Sequence, residues 1–473
     1  MSLMRDLGRV TALVVAALFA FVPVPLLASG FQLVEQNASG LGVAYAGQAA
    51  SVKDASAIYF NPAALTNVEG TQILVAVSGL GLSSTFSDSR STAPHFPNGV
   101  PLPVATGSDG GDAGGWSAVP NAYVSWQAAP RLWLGVGVNA PFGLATKWQP
   151  DWLGRFHSVT SDVKSININP TVAVKVNDRL SLGAGVDYQQ LKATLSQNAA
   201  YGGIAYGSAA SAAGSGGAAW VLSQIGGPAG LALEGESTIK GDTWTWGFNV
   251  GAQVRVGDAS KLGISYRSKI KHELTGDVTF ANAPTFSTAP PLGAIGSALN
   301  AAFASGGVKT TMDLPDTLSI AASTERDKVE FMADWTWTGW SSVQSLDILR
   351  DDDTELTDQP LKFQDTWRAG AGLAYRLNDV WKLRGGLAYD KTPVQDEYRT
   401  PRLPDGDRVW AALGAEWTMG KGAVDVGYAH LFVGAASSNL PNQSSASEPM
   451  RGDLIGSYED KVDVVSIQYR VSF

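Results

Sequence analysis

From Thr243 to Val256 the chain alternates without interruption. Trp244, Trp246, Phe248, Val250, Ala252, Val254 and Val256 are apolar, and Thr243, Thr245, Gly247, Asn249, Gly251, Gln253 and Arg255 lie between them. Successive side chains of a strand point to opposite faces, so the run predicts a strand with one oily and one polar face. The pattern returns in Val329, Phe331, Ala333, Trp335 and Trp337 against Glu330, Met332, Asp334 and Thr336. It returns again in Leu180, Leu182, Ala184, Val186 and Tyr188 against Ser181, Gly183, Gly185 and Asp187. A soluble sandwich strand looks similar over five or six residues, but these runs are long enough to cross a bilayer when tilted.

Such runs place strands near 70–86, 118–128, 131–140, 161–176, 179–197, 236–256, 260–282, 307–324, 327–338, 361–376, 380–390, 406–419, 422–434 and 460–473. That is about fourteen, an even number. Short connections at Ala129-Pro130, Asn177-Asp178, Gly257-Asp258, Arg326-Asp327, Asn378-Asp379 and Gly420-Lys421 alternate with long ones, as periplasmic turns alternate with outer loops. Within lipid only closure satisfies every strand edge, so the expected fold is an all-β, 14-stranded antiparallel transmembrane β-barrel. The chain ends in Tyr469, Val471 and Phe473, an alternating apolar tail that resembles the assembly signal of outer-membrane barrels.

The N-terminus reads as a signal peptide over 1–28. Arg5 and Arg9 precede an apolar stretch from Val10 to Leu27, interrupted by Pro23 and Pro25 and followed by small residues at Ala28 and Ser29. A membrane anchor is the alternative. No later apolar run has the length of a membrane-spanning helix, which excludes a helical membrane protein. The absence of Cys removes a disulfide framework from an exported chain. A net charge of −9 with scattered basic residues argues against a nucleic-acid surface.

Residues 29–69 are irregular, with an Asn-Pro-Ala break at Asn61, Pro62 and Ala63, and cannot be a lipid-facing strand. They are expected to fold inside the 70–473 barrel as a plug, where irregular backbone is tolerated. Phe31, Leu33, Tyr45, Ile58, Tyr59 and Phe60 are too apolar for the other reading, a disordered tail. Gly pairs on the polar register (Gly135/Gly137, Gly183/Gly185, Gly370/Gly372) keep the wall thin and are not nucleotide loops.

The segments "GFQLVEQNASGLGVAYAGQAA", "YFNPA", "NAPFGLATKWQPDWLGRF", "WTWTGWSSV" and "LRGGLAYDKTPVQDEYRTPRLPDGDRVWAALG" occur in that order along nearly the whole mature chain. Together they resemble the FadL/TodX family of outer-membrane transporters for hydrophobic compounds. The resemblance implies a barrel with an N-terminal hatch and no lumen open from end to end. It also implies a hatch motif at Asn61-Pro62-Ala63 and an internal ligand pocket against Phe31. The third strand would be kinked near Asn139, Pro141 and Gly143, leaving a lateral opening. Locally, Pro141 cannot donate to a ladder and Gly143 weakens one, although an ordinary strand end would read the same way.

Two outer loops are unusually apolar. Residues 198–234 carry Trp220, Leu222 and Ile225, and residues 284–306 place Leu292, Ile295, Leu299 and Phe303 on one face of a helix-like pattern. Either they form a capture surface, which the resemblance implies, or they pack on each other to seal the barrel. A fatty-acid carboxylate would need a cation, for which Arg155 and Lys192 are candidates; both also read as rim charges.

No enzyme is expected. His157 adjoins Ser158, but neighbours on a strand face opposite ways, and no G-x-S-x-G occurs. The acidic run Asp351, Asp352, Asp353, Glu355 and Asp358 lacks the rest of a calcium-loop pattern, so no metal or cofactor is expected. The expected function is outer-membrane uptake of hydrophobic compounds, with long-chain fatty acids favoured over aromatic hydrocarbons. A structural or adhesive barrel is the remaining alternative. Expected partners are the hydrophobic ligand, outer-membrane lipid and lipopolysaccharide, and the barrel assembly machinery, with no nucleic acid and a monomeric state.

Overall fold

In a computed structural model, which describes residues 30–96, 98–442 and 450–473, the alternating runs close on themselves. The signal-peptide segment 1–28 lies outside the described residues. The barrel strands are β1 Thr71–Asp88, β2 Gly115–Ala129, β3 Leu132–Asn139 resuming as Gly143–Lys147, β4 Thr160–Lys175, β5 Leu180–Ala199 and β6 Gly235–Val256. They continue as β7 Ser260–Arg267 and Ile270–Phe280, β8 Gly306–Leu314 and Thr317–Arg326, β9 Val329–Thr338 and Ser345–Arg350, and β10 Glu355–Pro360 and Thr366–Arg376. The last four are β11 Trp381–Asp390, β12 Arg408–Met419, β13 Gly422–Val433 with Ala436–Leu440, and β14 Leu454–Ser472. Each pairs antiparallel with its neighbours, and β1 closes on β14 from Gln72 opposite Ser472 to Asp88 opposite Gly456. Closure leaves no open edge for lipid to meet.

The oily faces point outward. Leu413 is 68% exposed, Leu387 62% and Phe331 53%, which is lipid-facing surface in a closed barrel. Toward the short turns, Trp381 and Trp417 stack at 6.2 Å; toward the loops, Tyr188 lies 4.7 Å from Trp244 and 4.2 Å from Trp246. These are the two interfacial aromatic girdles.

The inward polar faces serve the N-terminal segment, which lies in the lumen as short turns: α1 Ala38–Leu41, α2 Gln48–Ser51, α3 Ala57–Phe60 and a 3-10 turn Pro62–Asn67. Irregular buried backbone needs partners, and the wall supplies them. Gln253 and Asn249 of β6 donate to the carbonyls of Ala50 (2.8 Å) and Ile58 (3.1 Å), and Trp133 donates to Val68 (2.7 Å). The glycines are spacers: a Cβ on Gly183 would come within 2.4 Å of the Pro62 backbone.

Several expected strands differ. Those expected at 260–282 and 307–324 are each broken, because Ser268 caps Phe248 through its hydroxyl (3.0 Å) and Pro315 has no N–H for the ladder. The tenth strand starts at Glu355 and the fourteenth at Leu454, earlier than their alternation shows. The 198–234 loop contains a helix, α4 Tyr201–Gln224, interrupted at Ala213 and Gly214; its Gly- and Ser-rich composition gives little helical signal. The second loop carries α5 Gly293–Ala302. No helix among the described residues is long and apolar enough to cross a membrane.

Candidate transport path

At the outer mouth, a vestibule of about 1480 Å³ lies between the loops and the barrel rim. Phe96, Ile204, Tyr206, Phe280, Phe303 and Met450 give it an apolar wall. Below it is a narrow cleft of about 80 Å³ lined by aliphatic side chains of β3 to β10, with Phe31 of the N-terminal segment among them. Vestibule and cleft share Leu195, Ile239, Leu346, Ile348, Gln359 and Arg402, which therefore form the neck between them.

Arg402 sits on the loop between β11 and β12. Its Nη2 donates to Gln197 Oε1 at 2.7 Å, while Nη1 reaches Ser158, Thr160, Ser161 and Ser196 oxygens only at 3.3–3.5 Å. Neighbouring arginines on this loop are neutralised: Arg399 by Asp396 (2.5 Å) and Arg408 by Asp405. Arg402 has no carboxylate partner among the described residues. Burial, reinforced by Arg451, lowers its pKa to about 9, so it is a cation at neutral pH.

Beyond Phe31 the path meets the break in β3. Asn139 pairs with Asn167 and Gly143 with Lys164, so four steps on β3 match three on β4, a bulge. β2 pairs with β3 only from Ala122 to Ala129, leaving Gly115–Asn121 without a β3 partner. The N-terminal segment covers the break. Leu33 N donates to Pro141 O and Gly143 N to Phe31 O, each at 2.8 Å. Phe31 packs on Trp340 (4.9 Å) and Phe142 (5.9 Å), and Gly30 N donates to Asp405 Oδ2 (2.9 Å).

The sequence profile of the outer membrane protein transport protein family (OMPP1/FadL/TodX) matches residues 19–473. The chain belongs to this OMPP1/FadL/TodX family. The FadL/TodX relatives include the long-chain fatty acid transport protein of Escherichia coli O6:H1, 26% identical over 90% of this chain and 92% of its own. The structure of a Pseudomonas aeruginosa FadL homologue superposes with a TM-score of 0.80 at 27% identity, covering 94% of this chain and all of that one. The Pseudomonas putida toluene transporter TodX shares the fold, with a TM-score of 0.62 at 15% identity over 91% of this chain and 98% of its own. The FadL/TodX family comprises outer-membrane transporters of hydrophobic compounds, both fatty acids and aromatic hydrocarbons.

Within this FadL/TodX barrel the candidate residues fall into distinct places. Phe31 lines the cleft, and Asn139, Pro141 and Gly143 form the break. Asn61 caps its own turn, accepting from Ala63 N (3.0 Å) and donating to the carbonyls of Ala49 (2.6 Å) and Ala252 of β6 (3.1 Å). Pro62 opens the 3-10 turn, and Ala63 is fully buried. Asn61→Ala should therefore loosen this turn by about 1–3 kcal/mol, read as faster hydrogen exchange across 61–67 with the barrel strands unchanged.

The loop residues are a partial correction. Trp220, Ile225, Ile295, Leu299 and Phe303 belong to one cluster in which α4 and α5 pack on each other; of the seven candidates, which also include Leu222 and Leu292, only Phe303 lines the vestibule. The two helices bury apolar faces against each other before offering any to a ligand.

Both candidate anchors are corrections. Arg155 is buried on Glu234 (Nη2–Oε2 3.0 Å) and lines neither cavity. Lys192 is exposed on the outer face of β5, between Lys164 and Asp242, whereas Asp187 points inward and is fully buried. Sequence reasoning missed Arg402, and no local pattern signals it: in "DEYRTPRLPDGDR" Asp405 lies three residues from both Arg402 and Arg408, and the fold pairs it with Arg408. His157 Nε2 contacts the Gly452 carbonyl (3.0 Å) and burial drives its pKa down to about 3, so it is spent structurally and forms no pair with Ser158.

Proposed function

We propose that the protein takes up long-chain carboxylates across the outer membrane. The ligand is captured in the vestibule, drawn to the neck with its head on Arg402, and passed along the apolar cleft to the β3 break, where it leaves sideways into the bilayer. The observation that carries this reading is Arg402, a half-buried guanidinium without a carboxylate partner at the mouth of an aliphatic cleft. Each methylene moved from water into the cleft contributes about 0.8 kcal/mol, and the ligand carboxylate supplies the anion that the site lacks. An aromatic hydrocarbon would fill the cleft and leave that charge uncompensated. The cleft is too narrow for a whole long alkyl chain, so entry displaces Phe31 and thereby acts on the N-terminal segment as a hatch.

The lateral step is tested at Gly143, which is buried where the N-terminal segment crosses the break. Gly143→Arg places a bulky cation in the exit. Uptake should fall to background while the variant still folds, by heat-modifiable migration, and still binds ligand at the outer mouth. Normal uptake by the folded variant would remove the lateral route.

A further inference from the structure

Glu35 lies in the middle of the segment that covers the β3 break and is 1% exposed. Its carbonyl accepts from Ser78 Oγ of β1 (3.4 Å) and Asn121 Nδ2 of β2 (3.0 Å). The adjacent Gln36 Nε2 donates to Leu33 O (2.9 Å) and to Ala140 O in the break (3.0 Å). Residues 35 and 36 thus tie together β1, β2 and β3 across the interval where β2 and β3 do not pair. Yet neither carboxylate oxygen of Glu35 has a hydrogen-bond partner among the described residues. The surrounding cations do not reach it: Arg368 of β10 is bonded to Asp334 of β9 and the Ala44 carbonyl, and Arg408 of β12 to Asp405, although Arg368 Nε and Arg408 Nη1 are themselves buried without a partner among the described residues. The remaining charged or titratable groups that bear on it are Asp390 of β11 and, from the segment itself, Tyr45 and Tyr59. β1 and β2 contribute the neutral Ser78 and Asn121.

A buried ion without a partner is costly, whereas the neutral acid is tolerated. We infer that Glu35 is the release residue of the path: as the neutral acid it seats the Gly30–Asn37 segment across the β2–β3 interval, and its ionisation unseats that segment, making lateral release proton-linked. The proton passes from the carboxyl group to water. The inference rests on the exit lying at the β3 break. Burial raises the Glu35 carboxyl from 4.5 to about 7, with the Arg408 charge opposing. The sign follows: a carboxyl raised in the seated state favours seating at low pH, and the preference declines as pH rises above the exposed-state value, up to the seated-state value.

The experiment is hydrogen exchange by mass spectrometry on the full protein in lipid nanodiscs, expressed as protection factors so that intrinsic rates cancel. The probes are the Leu33, Gln36 and Gly143 amides, which bond to Pro141, Val34 and Phe31 carbonyls. From pH 6 to pH 8 their protection should fall about tenfold, while barrel amides stay constant. Glu35→Gln and Glu35→Leu should keep the segment protected at both pH values. A parent protein whose protection does not change with pH overturns the proposal, whatever the variants do. So does a pH response that persists in either variant. Because no transport is measured, failure here is separate from failure of the lateral route, which Gly143→Arg tests.

Discussion

Arg402→Ala should weaken oleate binding by roughly 10- to 100-fold, the equivalent of one charge-assisted hydrogen-bonded pair at about 1.5–3 kcal/mol, and leave methyl oleate nearly unaffected. The asymmetry is the diagnostic result. The ester keeps the whole alkyl chain and loses only the charge, so an anchor and a mere wall residue give different patterns in the same titration. Arg155→Ala should leave the oleate preference intact, since its guanidinium is committed to Glu234. The pH dependence has a fixed sign. Burial works against the Arg402 cation, so oleate affinity should weaken toward strongly alkaline pH, with no such fall for the ester. Equal binding of oleate and ester to the parent protein would show that no charge partner is used and would favour a hydrocarbon substrate.

Gly183→Val should expel the 62–67 turn from the lumen and raise ion conductance in planar bilayers. The new side chain would meet the Pro62 carbonyl carbon at 2.4 Å and the Ala63 nitrogen at 2.5 Å, both backbone atoms that cannot rotate away. Overpacking of this kind costs about 1–3 kcal/mol, whereas valine suits the strand itself, so the turn is the part that moves. The effect should exceed that of Asn61→Ala, which deletes bonds without pushing anything out. Unchanged conductance in a folded Gly183→Val protein would count against the hatch role of this motif.

Long alternation made the wall legible. The run from Thr243 to Val256 fixes which residues face lipid, because a one-residue error in period would put Trp244 and Trp246 in the lumen. The breaks were less visible, since Ser268 and Gly339 interrupt the ladder through local hydrogen bonds that leave the apolar pattern intact. The site was partly legible. Phe31 and the Asn139–Gly143 stretch carry their meaning in residue type, as an aromatic in an irregular segment and a proline in a strand. Arg402 does not, because its distinction is the lack of a carboxylate partner, and partnership is settled by tertiary contacts: Arg155 finds Glu234 79 residues away. Lys192 shows the converse, since its parity relative to Asp187 already placed it on the other face.

The seating of the N-terminal segment also dictates an order of events in biogenesis. Ala38 N donates to Gln468 of β14, a separation of 430 residues, and Gly30 N donates to Asp405, a separation of 375. The residues synthesised first therefore dock on the residues synthesised last, and contacts of such high order form late because their loop-closure entropy must be met beforehand. The β1–β14 seam that shuts the wall is of comparable order, Gln72 opposite Ser472, so seating of the segment and closure of the wall are linked late steps, and the permeability of the nascent barrel is set by how closely some forty residues settle in step with that seam.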